Sequence, residues 1–389
     1  MIAPSAIPVE RHAARLERAR DVARAQGAMA LLIGFGADLR YLTGHTVQPM
    51  ERLTLLVLPV EGPAALVAPR LEAMAASATP AAEAGLFEVS AWEETDDPVQ
   101  IVARLVREAA NASTVAEGPL LVSAQLWAMH LLALQEALPG ASFGPAARVL
   151  RELRMVKDAV EVELLRQAAL AADRVVDEIA SGSLVDRTEA DVSREVRDRL
   201  VDAGHDQADF AIVGSGPNSA SPHHEASGRL IRAGEPIVLD IGGTRSGYCS
   251  DTTRTLWVTG GDAGKGPDAG FRNLYALVHA AQAAGRAAVR PGIKCEQLDD
   301  AARAVITAGG HGPHFIHRLG HGIGLETHED PYLVAGNAET LREGHVFSVE
   351  PGIYLEGRYG ARLEDIVVCG PDGPIELNES ARELRVVNG

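Results

Sequence analysis

Cysteine is scarce: the chain of 389 residues has three, Cys249, Cys295 and Cys369, no two at CxxC spacing. They support neither a disulfide framework nor a zinc knuckle, and a reducing cytoplasm is the compartment they suit. Long apolar runs are also missing. The most apolar stretch, Ala28 to Phe35, falls far short of the roughly 20 residues that a membrane helix needs, so no membrane span is expected. Met1 to Glu10 lacks a basic start followed by an apolar core, and Arg11 to Arg20 is dense in charge, so no export signal is expected either. Positive charge is in deficit, with 36 Lys and Arg against 53 Asp and Glu and a net charge of −17. That balance repels nucleic acid and anionic membrane surfaces at long range. It also leaves carboxylates available as ligands for hard cations wherever several converge.

What is present is an ordinary globular composition, 46% hydrophobic and 23% charged. At about 150 residues per domain the length suggests two domains or three, with ample chain to bury a core. Glu10 to Gln26 carries apolar residues at helical spacing, and Gly27 ends the pattern. Ala30–Ile33, Leu53–Leu58, Ala64–Val67 and Leu120–Val122 read as buried strands, and Trp127 to Ala137 reads as a helix. This alternation, closing on the Pro139-Gly140 and Gly144-Pro145 turns, gives an α/β (α+β) chain with a boundary near residue 150. The expected domains are 1–150 and 151–389.

The second domain is expected to open on one long amphipathic helix, from about Ala146 or Met155 to Ile179. Thr188 to Asp191 has the spacing of a capping box for a helix through Leu200. Pro236–Gly242 and the alternating Thr253, Thr255 and Trp257 read as a β-hairpin. Leu274–Val289 and Gln297–Ala308 read as helices, and the remainder as strands and turns.

Four carboxylates and a histidine stand out in this half. Asp240 ends the apolar run Ile237-Val238-Leu239, where an ionised carboxylate is costly without a cation or donors. Asp251 lies on the returning strand, so the hairpin can bring the two together. Taken alone, a pair of turn aspartates capping amides explains them as well. Glu350 and Glu364 are likewise embedded in apolar strands, with turn signals at Gly357 and Gly360 between them. His321 sits in Leu319-Gly320-His321-Gly322-Ile323-Gly324-Leu325, where glycines let backbone and imidazole approach a ligand closely. Together the five are more than one cation needs and suit two divalent ions bridged by carboxylates, an arrangement that activates water for hydrolysis. Oxygen-dominated ligation favours Mn²⁺, with Co²⁺ or Zn²⁺ able to occupy the same site.

These residues resemble the pita-bread metallopeptidases, the family of prolidase, aminopeptidase P and methionine aminopeptidase. The resemblance runs through Val238-Leu239-Asp240-Ile241-Gly242, Ser250-Asp251-Thr252-Thr253-Arg254-Thr255, His317 to His328-Glu329, Ser348-Val349-Glu350-Pro351-Gly352-Ile353-Tyr354 and Arg362-Leu363-Glu364-Asp365. It implies that Asp240, Asp251, His321, Glu350 and Glu364 are the metal ligands, with Asp251 and Glu364 bridging both ions. In Ser219-Ala220-Ser221-Pro222-His223 it picks His223, not His224, as the histidine that hydrogen-bonds substrate. It makes His328 the stabiliser of the tetrahedral intermediate, Glu350 the proton relay, and His317 a neighbour of the pocket beyond the scissile bond. It sets Arg362 at the substrate side of the site, orienting a carboxylate.

Leu39-Arg40-Tyr41-Leu42-Thr43-Gly44 resembles the creatinase-like domain that precedes the catalytic domain in prolidase and aminopeptidase P. The resemblance therefore implies cleavage of Xaa-Pro bonds in dipeptides or short peptides by a homodimer or homotetramer, with the N-terminal domain of one subunit bordering the site of another. One departure stands out. Several prolidases carry Pro-Arg after the His-Glu pair, to grip the dipeptide's carboxylate, whereas this chain reads His328-Glu329-Asp330-Pro331-Tyr332. Tyr332 at that substrate position cannot supply arginine's bidentate fork, which leaves the task to another base such as Arg52 or Arg318. Xaa-Pro dipeptidase is the leading expectation. Xaa-Pro aminopeptidase on longer peptides is the alternative, and a creatinase-like non-peptidase hydrolase or a metal-free binding module stands behind both. The glycine clusters fit neither GxGxxG nor a P-loop.

Overall fold

The computed structural model describes residues 7–112 and 118–389. Met1 to Ala6, part of the segment read above for an export signal, lie outside them. The chain divides into two compact units, Met1–Arg154 and Met155–Gly389. Among the described residues, no helix is long and apolar enough to cross a membrane.

The first unit is built on a six-stranded mixed sheet in the order Glu88–Trp92, Ala65–Pro69, Leu55–Pro59, Ala30–Gly34, Leu120–Val122, Phe143–Pro145. Ala30–Gly34 pairs antiparallel with Leu55–Pro59 on one side and parallel with Leu120–Val122 on the other. Every residue of the two central strands Ala30–Gly34 and Leu55–Pro59 is buried, which is why they read as continuous apolar runs and not as alternation. The opening helix spans Val9–Ala25 and ends before Gly27 in the left-handed region at φ 70°.

The second unit carries the predicted metal residues on two five-stranded sheets and a two-stranded hairpin. One sheet runs Arg385–Val387, Thr252–Val258, Glu235–Arg245, Gln207–Ser215, with Tyr248–Cys249 paired to Glu235–Arg245. The other runs Glu329–Leu333, Gly320–Gly322, Val346–Val349, Asp365–Gly370, Gly373–Glu376. Gly352–Leu355 and Tyr359–Arg362 form the hairpin. Helices Ala159–Ser181 and Glu189–Asp202 share a core with the first sheet through Val176, Ile179, Val196, Leu239 and Leu256. Helices Ala269–Ala288 and Cys295–Ala308 bury Val278, Leu298 and Ile306 with Phe347 and Val367 of the second. The sheets meet at Thr253, which stands opposite Asp240 in the first and forms an isolated bridge to Glu364, next to the second.

One expectation is corrected. Of the two starts expected for the long helix, about Ala146 and Met155, the earlier does not hold, because the stretch is two helices, Ala147–Met155 and Ala159–Ser181. Asp158 caps the second by accepting from the amides of Val160 and Glu161, and Glu161 returns the bond to the Asp158 amide. This capping box gives the backbone a better partner than helix continuation would. Thr188 is an N-cap as read, with its side chain accepting from Asp191 N, and the helix extends to Asp202.

Candidate metal centre

The antiparallel register sets Asp240 opposite Thr253, and Asp251 lies just before the same strand, so both carboxylates sit at one place on the sheet. Glu350 leaves the end of Val346–Val349, and Glu364 is brought in by the bridge to Thr253. His321 is the central residue of Gly320–Gly322. The donor atoms of Asp240, Asp251 and Glu364 lie within 4.8 Å of one another, as do those of His321, Glu350 and Glu364. Glu364 belongs to both groups. A third group of the same compactness joins Asp251 and His321 to His328.

This cluster consists almost wholly of acceptors. Asp240 Oδ1 and Glu364 Oε1 are buried without a hydrogen-bond partner. The Nδ1 of His321 is 3.1 Å from Gly322 O, so it carries the proton, which leaves the Nε2 lone pair facing Glu350 Oε1 at 3.3 Å and Asp251 Oδ2 at 3.6 Å. Burial, with His328 adding to it, pushes the His321 imidazolium down to about 3, so the ring is neutral. Lone pairs aimed at carboxylate oxygens repel unless a cation lies among them, and the donor set fits divalent metal.

The carboxyls record the same strain. Burial and the neighbouring Glu364, Asp240 and Glu350 charges push Asp251 well above the carboxylate range. Burial, then Glu350 and Asp240, does the same to Glu364. Burial raises Glu350 to about 7, opposed by Arg362.

A pocket of about 790 Å³ opens over the cluster, and it is lined by all five of these residues. His223, His317, His328 and Arg362 line it too. His223 and His224 part company: the first faces the pocket, and the second bonds through Nε2 to Glu189 Oε2 at 2.8 Å. His317 is held by two bonds, Nδ1 to Arg318 O at 2.8 Å and Nε2 to the Tyr354 hydroxyl at 2.9 Å. Its imidazolium is pushed down to about 3 by burial and by Arg362. Arg362 is buried and committed to protein partners. It pairs with Asp240 Oδ2, donates from Nη1 to the Tyr354 hydroxyl at 2.9 Å and from Nε to Thr253 Oγ1 at 3.1 Å. Tyr332 is not brought into the pocket wall. Its ring lies 4.5 Å from the guanidinium of Arg318, which does line the pocket.

Sequence reasoning passed over the residues that support the cluster. Thr253 Oγ1 donates to Glu364 Oε2 at 2.7 Å, and Ser348 Oγ donates to Glu350 Oε1 at 3.2 Å. Their signal was present, since each lies within three residues of a candidate ligand. The glycines around His321 are a backbone requirement. A Cβ at Gly320 would stand 1.9 Å from Ser348 O, and one at Gly322 would stand 2.2 Å from Asp330 O. Cys249 is buried with its thiol pushed up to about 12 by burial, so it is no nucleophile.

Residues 163–371 match the model of metallopeptidase family M24, and residues 15–156 match the creatinase/prolidase N-terminal domain. The chain belongs to metallopeptidase family M24. As an M24 enzyme it is a metal-dependent peptidase, with the mixed α/β catalytic domain and creatinase-like N-terminal domain expected from the sequence. It is 44% identical over 379 residues to a probable dipeptidase PepE of Mycobacterium tuberculosis, covering 97% of each chain. The crystal structure of dipeptidase PepE from Mycobacterium ulcerans superposes with a TM-score of 0.88 at 42% identity, covering 98% of this chain and 99% of that one. A prolidase from Thermococcus sibiricus gives a TM-score of 0.88 at 33% identity, over 98% and 100%. Solved structures of the same fold also include an X-Pro aminopeptidase from Thermotoga maritima, with a TM-score of 0.79 at 27% identity over 94% of this chain and 100% of that one, and the M24 family implies divalent metal and peptide substrates.

Proposed function

We propose that this M24 enzyme is an Xaa-Pro dipeptidase that works with two divalent cations, Mn²⁺ foremost, held by Asp240, Asp251, His321, Glu350 and Glu364. The observation that carries the reading is the pair of overlapping donor groups sharing Glu364, with orphaned oxygens on Asp240 and Glu364. Bound there, such ions would supply an activated water and polarise the scissile carbonyl. Thr253 and Ser348 hold the Glu364 and Glu350 carboxylates in place, and Arg362 holds Asp240. His223 and His328 donate to the oxygen that gains charge in the transition state, where a donor lowers the barrier more than it stabilises the bound substrate. Glu350 relays the proton that the departing proline nitrogen requires.

The dipeptide preference rests on Arg318. Among the described residues its guanidinium has no carboxylate partner, it faces the pocket, and Tyr332 supports it from behind. A free C-terminal carboxylate is the group such a cation selects. Cleavage of longer peptides by an aminopeptidase is the second reading, favoured by the size of the pocket, about 790 Å³. Three buried free cysteines support a cytoplasmic setting. A homodimer or homotetramer completes the reading, to be checked by light scattering.

The test is turnover of Ala-Pro and Ala-Pro-Ala by chelator-stripped protein, with and without Mn²⁺. Metal-dependent release of alanine, faster from Ala-Pro, is expected. Preference for Ala-Pro-Ala supports the aminopeptidase, and failure on both with metal bound overturns the Xaa-Pro reading.

A further inference from the structure

Glu189 is the first residue of the helix Glu189–Asp202, and its side chain is fully buried away from the pocket. Burial of a lone carboxylate is costly, and this one is matched by an unusual number of donors. Oε1 accepts from Ser215 N at 2.8 Å, Ser215 Oγ at 2.7 Å and Asn218 Nδ2 at 3.0 Å. Oε2 accepts from His224 Nε2 at 2.8 Å, Ser227 Oγ at 2.7 Å and Ser227 N at 3.1 Å. Every donor comes from one stretch of chain, residues 215–227.

That stretch is the segment that carries His223 to the pocket. Ser221, Pro222 and His223 line the pocket, and they lie between the anchored residues Asn218 and His224. His223 itself is exposed. On the pocket side the same segment is tied to the site by Arg362 Nη2, which donates to Pro222 O at 3.3 Å, and by Gly360 N, which donates to Ser219 Oγ at 2.9 Å. The helix end adds two backbone bonds, from Glu189 N to Arg229 O at 3.1 Å and from Ala190 N to Ser227 O at 3.0 Å.

We infer that Glu189 is a positioning residue for catalysis: one buried carboxylate fixes the 215–227 segment and thereby holds His223 at the substrate. It touches neither substrate nor metal donor and acts through the loop. The inference rests on His223 meeting the substrate, as proposed above. An exposed imidazole on an untethered loop samples many directions, and catalysis depends on holding the donor in one of them.

The experiment is a double-mutant cycle of Glu189→Gln and His223→Ala in the full Mn²⁺-loaded chain, scored as kcat/KM for Ala-Pro per metal-loaded folded molecule. Amide hydrogen exchange over 215–228 is followed in parallel. Glu189→Gln keeps the shape and turns an all-acceptor group into one that confronts donors with an NH₂. Each single variant is expected to lose at least tenfold in kcat/KM, and the double variant no more than the worse single. Exchange over 215–228 is expected to rise in Glu189→Gln while metal content stays unchanged. Activity per folded molecule equal to wild type in Glu189→Gln, or losses that multiply in the double variant, overturns the positioning role. An unimpaired His223→Ala overturns the His223 reading itself and with it this inference. Should Glu189→Gln not fold, Ser227→Ala and His224→Ala, which each remove part of the tether, are expected to lose about threefold each and to be silent in the His223→Ala background. Additive losses there overturn the inference.

Discussion

Arg254 Nη2 lies 2.7 Å from Asp365 Oδ1, and both side chains are buried, 1% and 0% exposed. The same guanidinium donates from Nη1 to the carbonyl of Glu364 at 2.6 Å. The pair therefore does two things: it neutralises a buried charge and holds the backbone of a metal-donor residue. Asp365 sits below the usual carboxylate range although burial alone would raise it, because Arg254 and Arg382 outweigh burial. Replacing Arg254 with Met keeps bulk and removes the cation. Unfolding of the metal-free protein in urea is expected to show a loss of about 3–5 kcal/mol, typical of stripping one partner from a buried pair. A change within about 0.5 kcal/mol would show that Arg382 compensates alone.

Asp251 lies within donor distance of Asp240 and Glu364 in one group and of His321 in another. Removing it breaks the group it forms with Asp240 and Glu364 and, since it is proposed as a bridging ligand, would take a donor from the second cation too. Asp251→Ala is expected to bind no more than residual metal by elemental analysis and to have no measurable turnover. An active metal-free variant would sink the two-cation proposal.

Arg318→Ala tests how the far end of the substrate is read. A hydrogen bond to a charged group is worth about 1.5–3 kcal/mol, so KM for Ala-Pro is expected to rise roughly ten- to a hundredfold. KM for Ala-Pro amide, which has no carboxylate, is expected to stay where wild type has it. Equal losses on both substrates would assign Arg318 to packing against Tyr332.

Glu189 also sets an acid limit on stability. Burial would raise its carboxyl, but the bonds from Ser227, His224 and Ser215 outweigh it and bring the group down from 4.5 to about 2. Its stabilisation is on the order of 3 kcal/mol, fully present above the unfolded value and lost as pH falls through the folded one. His224 and Arg229 are the charged or titratable groups facing it. The stability gap between wild type and Glu189→Gln, measured in urea without metal, is expected to be constant above about pH 5 and to narrow between pH 4.5 and 2. A gap independent of pH would contradict a depressed carboxyl.

Much of the donor cluster could be read from the chain because charge within an apolar strand is conspicuous. Asp240 and Glu364 stood out in that way, and hairpin spacing suggested which carboxylates meet. Other features left no such mark. Glu189 is written like any acid in a helix's first turn, and only the fold reveals what converges on it. Arg318 and Tyr332 lie on neighbouring segments whose register shifts at His321 and Gly322, so counting residues does not pair them. The helix break at 156–158 leaves the start open between Ala146 and Met155 in the sequence, because apolar spacing continues across it. Strands Glu88–Trp92 and Gln207–Ser215 sit at sheet edges, where exposure breaks up the continuous apolar run that marks an inner strand.

The backbone contacts at Gly320 and Gly322 also divide the pocket into what can vary and what cannot. A library randomised at those two codons would return glycine almost alone, since the obstructing atoms are carbonyl oxygens that cannot step aside. Ile316, Arg318 and Phe210 present side chains to the same cavity without supplying a metal donor. Descendants of this chain could exchange those three and alter which peptides they accept, while inheriting the hydrolytic apparatus unchanged.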